Sequence, residues 1–220
     1  PYEAAAANIM PYRGSDRMWE AHDLILKAWT THDGPFNFEG EWYHHRQVNI
    51  WPRPYQQPHP PVWITMGSNG SARPVAQHKH IGAVFLAGYP RIREVFDGYR
   101  EGYLEAHGEH APLDRLAYLG LCYIGENQRE AEEGARKLLW YMESNKVPPE
   151  WSNPPGYHPP AVSANVMRGV SGSGVPTRPT LEQQMARGNV FAGTPDQVFE
   201  QMKSFWEYSG GFGHMLMMGQ

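Results

Sequence analysis

The sequence predicts an α/β protein whose parallel strands are joined by crossover helices. Three observations carry this. Short apolar runs alternate with amphipathic stretches along most of the chain. Gly, Pro, Asn and Asp punctuate nearly every junction between them. The last apolar run, Phe212 to Met218, has no helix after it. Four strands in this order make either a small doubly wound sheet or half of a (β/α)8 barrel, since a complete barrel takes ~250 residues. A final strand without a covering helix reads as a piece of a larger fold, so that two sheet edges and one side of the core would be uncovered. The expectation is a chain that aggregates alone or needs a partner.

Taken in order, the elements begin with a helix over Ser15 to about Thr31. Ser15 or Asp16 can cap it, and Met18, His22, Ile25 and Trp29 share one stripe. Phe36-Asn37-Phe38 and Trp42-Tyr43 flank Glu39-Gly40-Glu41, which predicts a small hairpin. Five prolines (Pro52, Pro54, Pro58, Pro60 and Pro61) then make a stiff, extended connector. It leads into the strand Val62–Met66. Gly67-Ser68-Asn69-Gly70-Ser71 follows, then a helix from about Ala72. The next strand, Ile81–Ala87, precedes a helix over about 90–107, and the strand Ala117–Ile124 precedes one over about 128–142. Residues 146–180 are rich in Pro, Gly and Ser, a length and composition that suit a lid, a binding loop or disorder. Thr194-Pro195-Asp196-Gln197 opens the last helix with a capping box and Pro in its first turn. Gly210-Gly211 ends it.

Composition excludes several classes of function. The 220 residues carry 19 Lys and Arg against 23 Asp and Glu, a net charge of −4. No basic face for nucleic acid is expected from that balance. Hydrophobic residues at 40% and aromatics at 13% suit a packed core rather than disorder. The single cysteine, Cys122, sits in an apolar strand; it excludes a disulfide framework and a cysteine zinc site. No apolar run approaches the ~20 residues of a membrane span. The start, Pro1-Tyr2-Glu3-Ala4, has neither a Met nor a leader pattern, so the chain reads as the interior of a longer protein, cytoplasmic and without a membrane partner.

Candidate chemistry concentrates at Gly67–Ser71. Small residues let a ligand approach the backbone, the N–H groups of a helix start favour an anion, and Ser68 and Ser71 add hydroxyl donors. The same residues also read as a plain glycine turn with a helix cap. Eleven His invite a metal, with His44-His45, His78/His80 and His107/His110 the tightest groups. None has carboxylate partners in a ligand pattern, and no metal is expected. Glu39 and Glu41 resemble an acid/base pair but flank a flexible glycine, which favours a solvated turn. No G-x-S-x-G is present, so a hydrolase triad is unsupported.

The run Trp51-Pro52-Arg53-Pro54-Tyr55-Gln56-Gln57-Pro58-His59-Pro60-Pro61-Val62-Trp63 resembles the proline-rich entry to a barrel strand in the bacterial luciferase-like flavin-dependent monooxygenases. Arg17…Glu20, Phe38–Tyr43, Gly67–Ser71, Gly193–Val198 and Gly210–Gly213 agree with that family in order and spacing. The resemblance implies a partial (β/α)8 TIM barrel: one incomplete domain over 1–220, made of the last four barrel strands and an insertion at 146–180. It implies that Ser68 and Ser71 hold a flavin phosphate, with Met66, Gly67 and Asn69 beside the cofactor. Arg17 is the second phosphate contact, with Arg13 its competitor. It places Trp151, Tyr157, His158 and Arg168 in a lid over the substrate. The implied reaction inserts one oxygen atom from O2 into a small organic substrate, using reduced FMN from a separate flavin reductase, in a full-length homo-oligomer. The acid/base residues would lie in the absent first half, which leaves no catalytic residue to name and a fragment inactive alone. A deazaflavin (F420)-dependent oxidoreductase of the same superfamily and a non-catalytic half-barrel partner subunit are the alternatives.

Overall fold

A computed structural model describes Ala7, Ile9 and residues 13–144 and 179–218. These fall into two compact units, one drawn from positions up to Pro60 and one from Pro61 onward. The lid candidates Trp151, Tyr157, His158 and Arg168 lie outside the described residues.

The first unit holds a helix α1 (Gly14–Thr30) and an antiparallel hairpin of β1 (Phe36–Glu39) and β2 (His44–Val48). Neither Ser15 nor Asp16 caps α1. Its cap position is Arg13, which makes no side-chain cap bond, and Arg13 Nε donates to the Asp16 carboxylate at 2.9 Å instead. The hairpin is tied to α1 by Glu20. Its carboxylate accepts the N–H groups of Glu41, Trp42 and Tyr43 at 2.8, 2.9 and 2.8 Å. A Cβ at Gly40 would collide with that carboxylate, so the glycine in the turn has a steric cause.

The second unit is a parallel sheet with its crossover helices. In chain order it contains β3 (Trp63–Thr65), α2 (Asn69–Gln77), β4 (Ile81–Phe85), α3 (Gly88–His107), a 3-10 turn (Leu113–Arg115) and β5 (Leu116–Ile124). Then come α4 (Gln128–Ser144), α5 (Leu181–Ala186), β6 (Val190–Gly193), α6 (Pro195–Tyr208) and β7 (His214–Met218). Every strand pair in the sheet is parallel. The α/β class and its alternation are those predicted. The four expected strands run side by side in chain order as β3, β4, β5 and β7. Among the described residues, β3 and β7 each have one neighbouring strand, so two sheet edges are open.

β6 was not expected. It lies on the same edge of β5 as β4, beyond the tip of β4. The Leu119 carbonyl accepts from Leu86 N–H, and Leu121 N–H, two residues on and so facing the same way, donates to the Asn189 carbonyl. On its other edge, β6 is closed by a side chain. The Gln201 amide accepts from Ala192 N–H at 3.2 Å and donates to the Ala192 carbonyl at 2.9 Å, standing in for a strand.

Packing on the helix side is aromatic and tight. Tyr118 lies against Phe205 with ring centroids 4.4 Å apart, and Phe212 packs against Phe96 and Phe205. Burial raises the pKa values of Tyr99 and Tyr118, whose hydroxyls donate to the His80 and Gly188 carbonyls. Cys122 is buried in β5 and its thiol is pushed up by burial, as suits a core residue.

Partial burial alone would raise the Glu20 pKa, but the three backbone N–H bonds, with His44 nearby, hold it below the usual carboxylate value of 4.5. The folded state therefore binds the Glu20 proton more weakly than the unfolded chain. Its stabilisation is complete above the unfolded pKa and is lost as pH falls through the folded one. Glu20→Gln should flatten the acid limb of stability below about pH 4.5, read from denaturant midpoints against pH. An unchanged acid limb would show that the tie is energetically silent.

Candidate functional site

The C-terminal tips of parallel strands form one rim of the sheet, the side on which α/β folds place their sites. At the tip of β3 the chain makes the bend Gly67–Ser71. Three features hold it. Met66 N–H donates to the Ala83 carbonyl at 2.7 Å, extending the pairing with β4. The Met66 side chain is buried against Gly82, where no Cβ stands in its way. Ser68 and Ser71 then form a reciprocal capping box at the start of α2. Ser68 Oγ accepts Ser71 N–H at 3.2 Å, and Ser71 Oγ accepts Ser68 N–H at 3.0 Å and Gly67 N–H at 3.1 Å.

That leaves the Asn69 and Gly70 N–H groups, in the first turn of α2, with no acceptor among the described residues. No acidic residue stands in that turn. The Ser71 hydroxyl donates to the Ser68 carbonyl at 2.9 Å. Turning it to an anion exchanges a neutral hydrogen bond for a charge-assisted one, which is roughly twice as strong. Gly67, Gly70 and Ser71 are exposed. The bend is a surface cradle of hydroxyls and N–H groups, open to an anion.

The two glycines of the bend are informative. An added Cβ at Gly67 would meet nothing within 4 Å, and one at Gly70 only Ser68 Oγ at 3.9 Å; neither has a positive φ. Each other described glycine of the second unit either has a positive φ or would press a Cβ close to a neighbour. Folding therefore explains those and not Gly67 and Gly70. Open backbone at both ends of a cradle is what close approach by an outside group requires.

Below the cradle lies a sheet face that the sequence reading did not assemble. Strand register places Trp63 and Thr65 beside Ile81 and Ala83, and Ala83 and Phe85 beside Ala117 and Leu119. These in turn lie beside His214 and Leu216. In-register partners share a face. Trp63 on β3 and His214 on β7 have ring centroids 4.9 Å apart although two strands lie between them. A flat sheet would separate them by ~14 Å, three strand spacings, so the sheet curls toward this face. Ile81, Ala83 and Ala117 are buried at its floor. Trp63, Phe85 and Leu216 are 42%, 46% and 37% exposed. The result is an apolar concave surface with a polar, anion-ready rim. Met66 is on the opposite, helix side; Thr65, one residue earlier, faces the concavity with Trp63.

Arg17 and Arg13 belong to the first unit. Arg13 is neutralised by Asp16 and Glu41. Arg17 donates to the Tyr43 hydroxyl at 3.3 Å and lies over that ring, with no carboxylate within 4 Å among the described residues. Among the described residues its charge is not neutralised, whereas that of Arg13 is. The Glu39 and Glu41 carboxylates are drawn to different partners, Glu39 to Arg46 and the His44 ring and Glu41 to Arg13. No group of three metal-ligating side chains occurs among the described residues. No described helix is long and apolar enough to cross a membrane. A cavity of about 480 Å³ lies elsewhere, lined by Gln128, Met185, Asp196, Glu200 and Gln201 among others. Its two carboxylates are the wrong sign for a phosphate.

Comparison with known proteins now decides the family. The profile described as luciferase-like monooxygenase matches residues 10–211. The chain belongs to this family. Among solved structures, the monooxygenase RslO1 from Streptomyces bottropensis matches at TM-score 0.70 and 19% identity, over 100% of this chain and 59% of that one. The oxygenating constituent of 3,6-diketocamphane monooxygenase from Pseudomonas putida, solved with FMN, matches at 0.66 and 19%, over 93% of this chain and 56% of its own. An F420-dependent secondary alcohol dehydrogenase bound to an F420–acetone adduct matches at 0.61 and 14%, over 90% and 54%. A curated relative, the uncharacterized protein y4wF of Sinorhizobium fredii, is 24% identical over 160 residues, 68% of this chain and 46% of its own length. This luciferase-like chain thus spans about half the length of the relatives it matches.

Because Gly70 lies in helical backbone with room for a Cβ, Gly70→Ala should stabilise the fold by about 0.5–1 kcal/mol. Chemical denaturation measures this. Destabilisation would mean that packing, not an outside ligand, demands the glycine.

Proposed function

We propose that this chain forms the phosphate-binding part of a flavin-dependent monooxygenase that uses reduced FMN, delivered by a separate reductase, on a small organic substrate. The observation that carries the reading is the cradle itself: two hydroxyls and two N–H groups without an acceptor among the described residues, in a bend whose two glycines have open faces. A phosphate monoester fits this donor set, and the curled apolar face suits the ring system of the same molecule. The bound flavin would supply two electrons, so that one oxygen atom of O2 enters the substrate and the other leaves as water.

The chain's own residues do the holding. Ser68 and Ser71 would donate their hydroxyls to the phosphate, and Asn69 and Gly70 their N–H groups. Trp63, Phe85 and Leu216 keep water from the concave face. Arg17 is proposed on chemistry alone, as a half-buried guanidinium without a carboxylate partner among the described residues. The reacting atoms are not assigned to any residue of this chain.

An F420-dependent oxidoreductase is the second reading, favoured by the fold match to the secondary alcohol dehydrogenase. The cradle serves either cofactor, since both carry a phosphate. Ser68→Ala combined with Ser71→Ala should weaken FMN binding by about tenfold or more, from the loss of two charge-assisted bonds, and should leave riboflavin binding nearly unchanged. Fluorescence titration with FMN, F420 and riboflavin reads this directly. Preference for F420 over FMN selects the second reading. Equal, weak binding of all three would support a non-catalytic subunit and remove the phosphate assignment.

A further inference from the structure

We infer that the Asn69 side chain and the notch at Gly98 are positioning residues for the phosphate cradle: their contact sets where the first turn of α2 presents its N–H groups. The inference rests on the phosphate reading above. Asn69 is the first residue of α2, yet its side chain is not turned toward the bend. Its Oδ1 accepts from Arg73 Nε at 3.3 Å. Its amide occupies the space that a Cβ at Gly98 would need, with Cγ, Nδ2 and Oδ1 at 2.6, 2.8 and 2.9 Å from that position. One turn along, Gly102 repeats the arrangement, its absent Cβ lying 3.1 Å from Arg73 Cα. Arg73 then reaches Glu101 and Glu105 on α3.

Two glycines inside a 20-residue helix disfavour that helix by roughly 0.5–1 kcal/mol each relative to Ala. Neither has a positive φ, so turn geometry does not require them. What they allow is close approach of α2. The seam is a ratchet with one register, because Asn69 fits one notch and the Arg73 backbone the next. Hydrogen bonds from Asn69 and Gly70 N–H to an anion need donor–acceptor distances near 2.9 Å. A Cβ at residue 98 displaces the Asn69 amide by several tenths of an ångström toward ordinary contact, and the donors move with it.

The test titrates this chain with FMN and with riboflavin, which lacks the phosphate, and records thermal melting alongside. Asn69→Ala and Gly98→Ala should each lower the preference for FMN over riboflavin by about five- to tenfold, the size of one misplaced charge-assisted bond. The double variant should be no worse than the worse single one, because both act through one contact. Gly134→Ala, whose Cβ would strike the Tyr123 ring, should lower the melting temperature and keep the preference. Asn69→Ala removes only a side-chain amide and decides the matter if Gly98→Ala fails to fold. Unchanged preference in Asn69→Ala, or losses that multiply in the double variant, would overturn the positioning role while leaving the cradle standing. If the unaltered chain itself fails to prefer FMN, the phosphate reading falls and this inference falls with it.

Discussion

The close seat of α2 on α3 is the constraint on which the rest of the candidate site depends. β3 is three residues long and pairs with one neighbour, so it cannot by itself hold a bend at its tip. Beyond its tip, the pairing is extended among the described residues by one bond, from Met66 N–H to the Ala83 carbonyl. The bend keeps its shape because the helix that follows is fixed from the other side. Gly98 and Gly102 admit α2 to van der Waals contact, and the Arg73 pairs with Glu101 and Glu105 close the seam at the surface. Exposed ion pairs contribute little energy; here they add register to a contact that sterics already define. A cradle of small residues gains precision from a neighbour built of small residues.

The two sides of the sheet divide the work. Toward the helices, Met66 and Tyr99 meet at Gly82, and Tyr118, Phe205 and Phe212 form a buried aromatic group. Toward the concavity, side chains are apolar but left partly open at Trp63, Phe85 and Leu216. Fully burying side chains of this size gains ~1.5–3 kcal/mol each. A flat apolar molecule laid on this face would recover part of that gain, and the rim would fix its charged end. On the proposed reading, affinity and orientation would come from different residues, the first from strands and the second from one strand-to-helix bend.

How much of this was legible in the sequence follows from the length scale of each feature. The four central strands and their helices declared themselves through alternation and punctuation, which are local. So did the capping box at Thr194, where residue type and spacing suffice; the box at Ser68 did not, because its reciprocal partner is Ser71 rather than a Glu or Gln, and the helix starts at Asn69 instead of near Ala72. β6 escaped because four residues, Val190 to Gly193, lie directly before a strong helix start, and because its outer edge is satisfied by Gln201, nine positions away. Glu20 escaped for the same reason: a carboxylate that gathers three N–H groups from residues 41–43 looks in sequence like a solvated helix residue. The concave face needed register, which no single strand encodes. Met66 and Thr65 are adjacent letters, and only the pairing with β4 tells which faces the cavity.

Glycines bring these scales together. In the second unit, the sequence marks no difference between Gly67, Gly70, Gly98 and Gly134. The structure separates the unit's described glycines into those needed for a left-handed turn, such as Gly108, those needed for a neighbour's approach, such as Gly98 and Gly134, and the two in the bend that the fold does not need. Gly70 weakens its helix and relieves no clash, and such departures from local consistency are expected at functional positions. Hydroxyls and N–H groups alone would describe any well-capped helix. The open faces of Gly67 and Gly70, at the rim of an apolar concavity in a luciferase-like fold, are what the proposed anion site adds to a common cap.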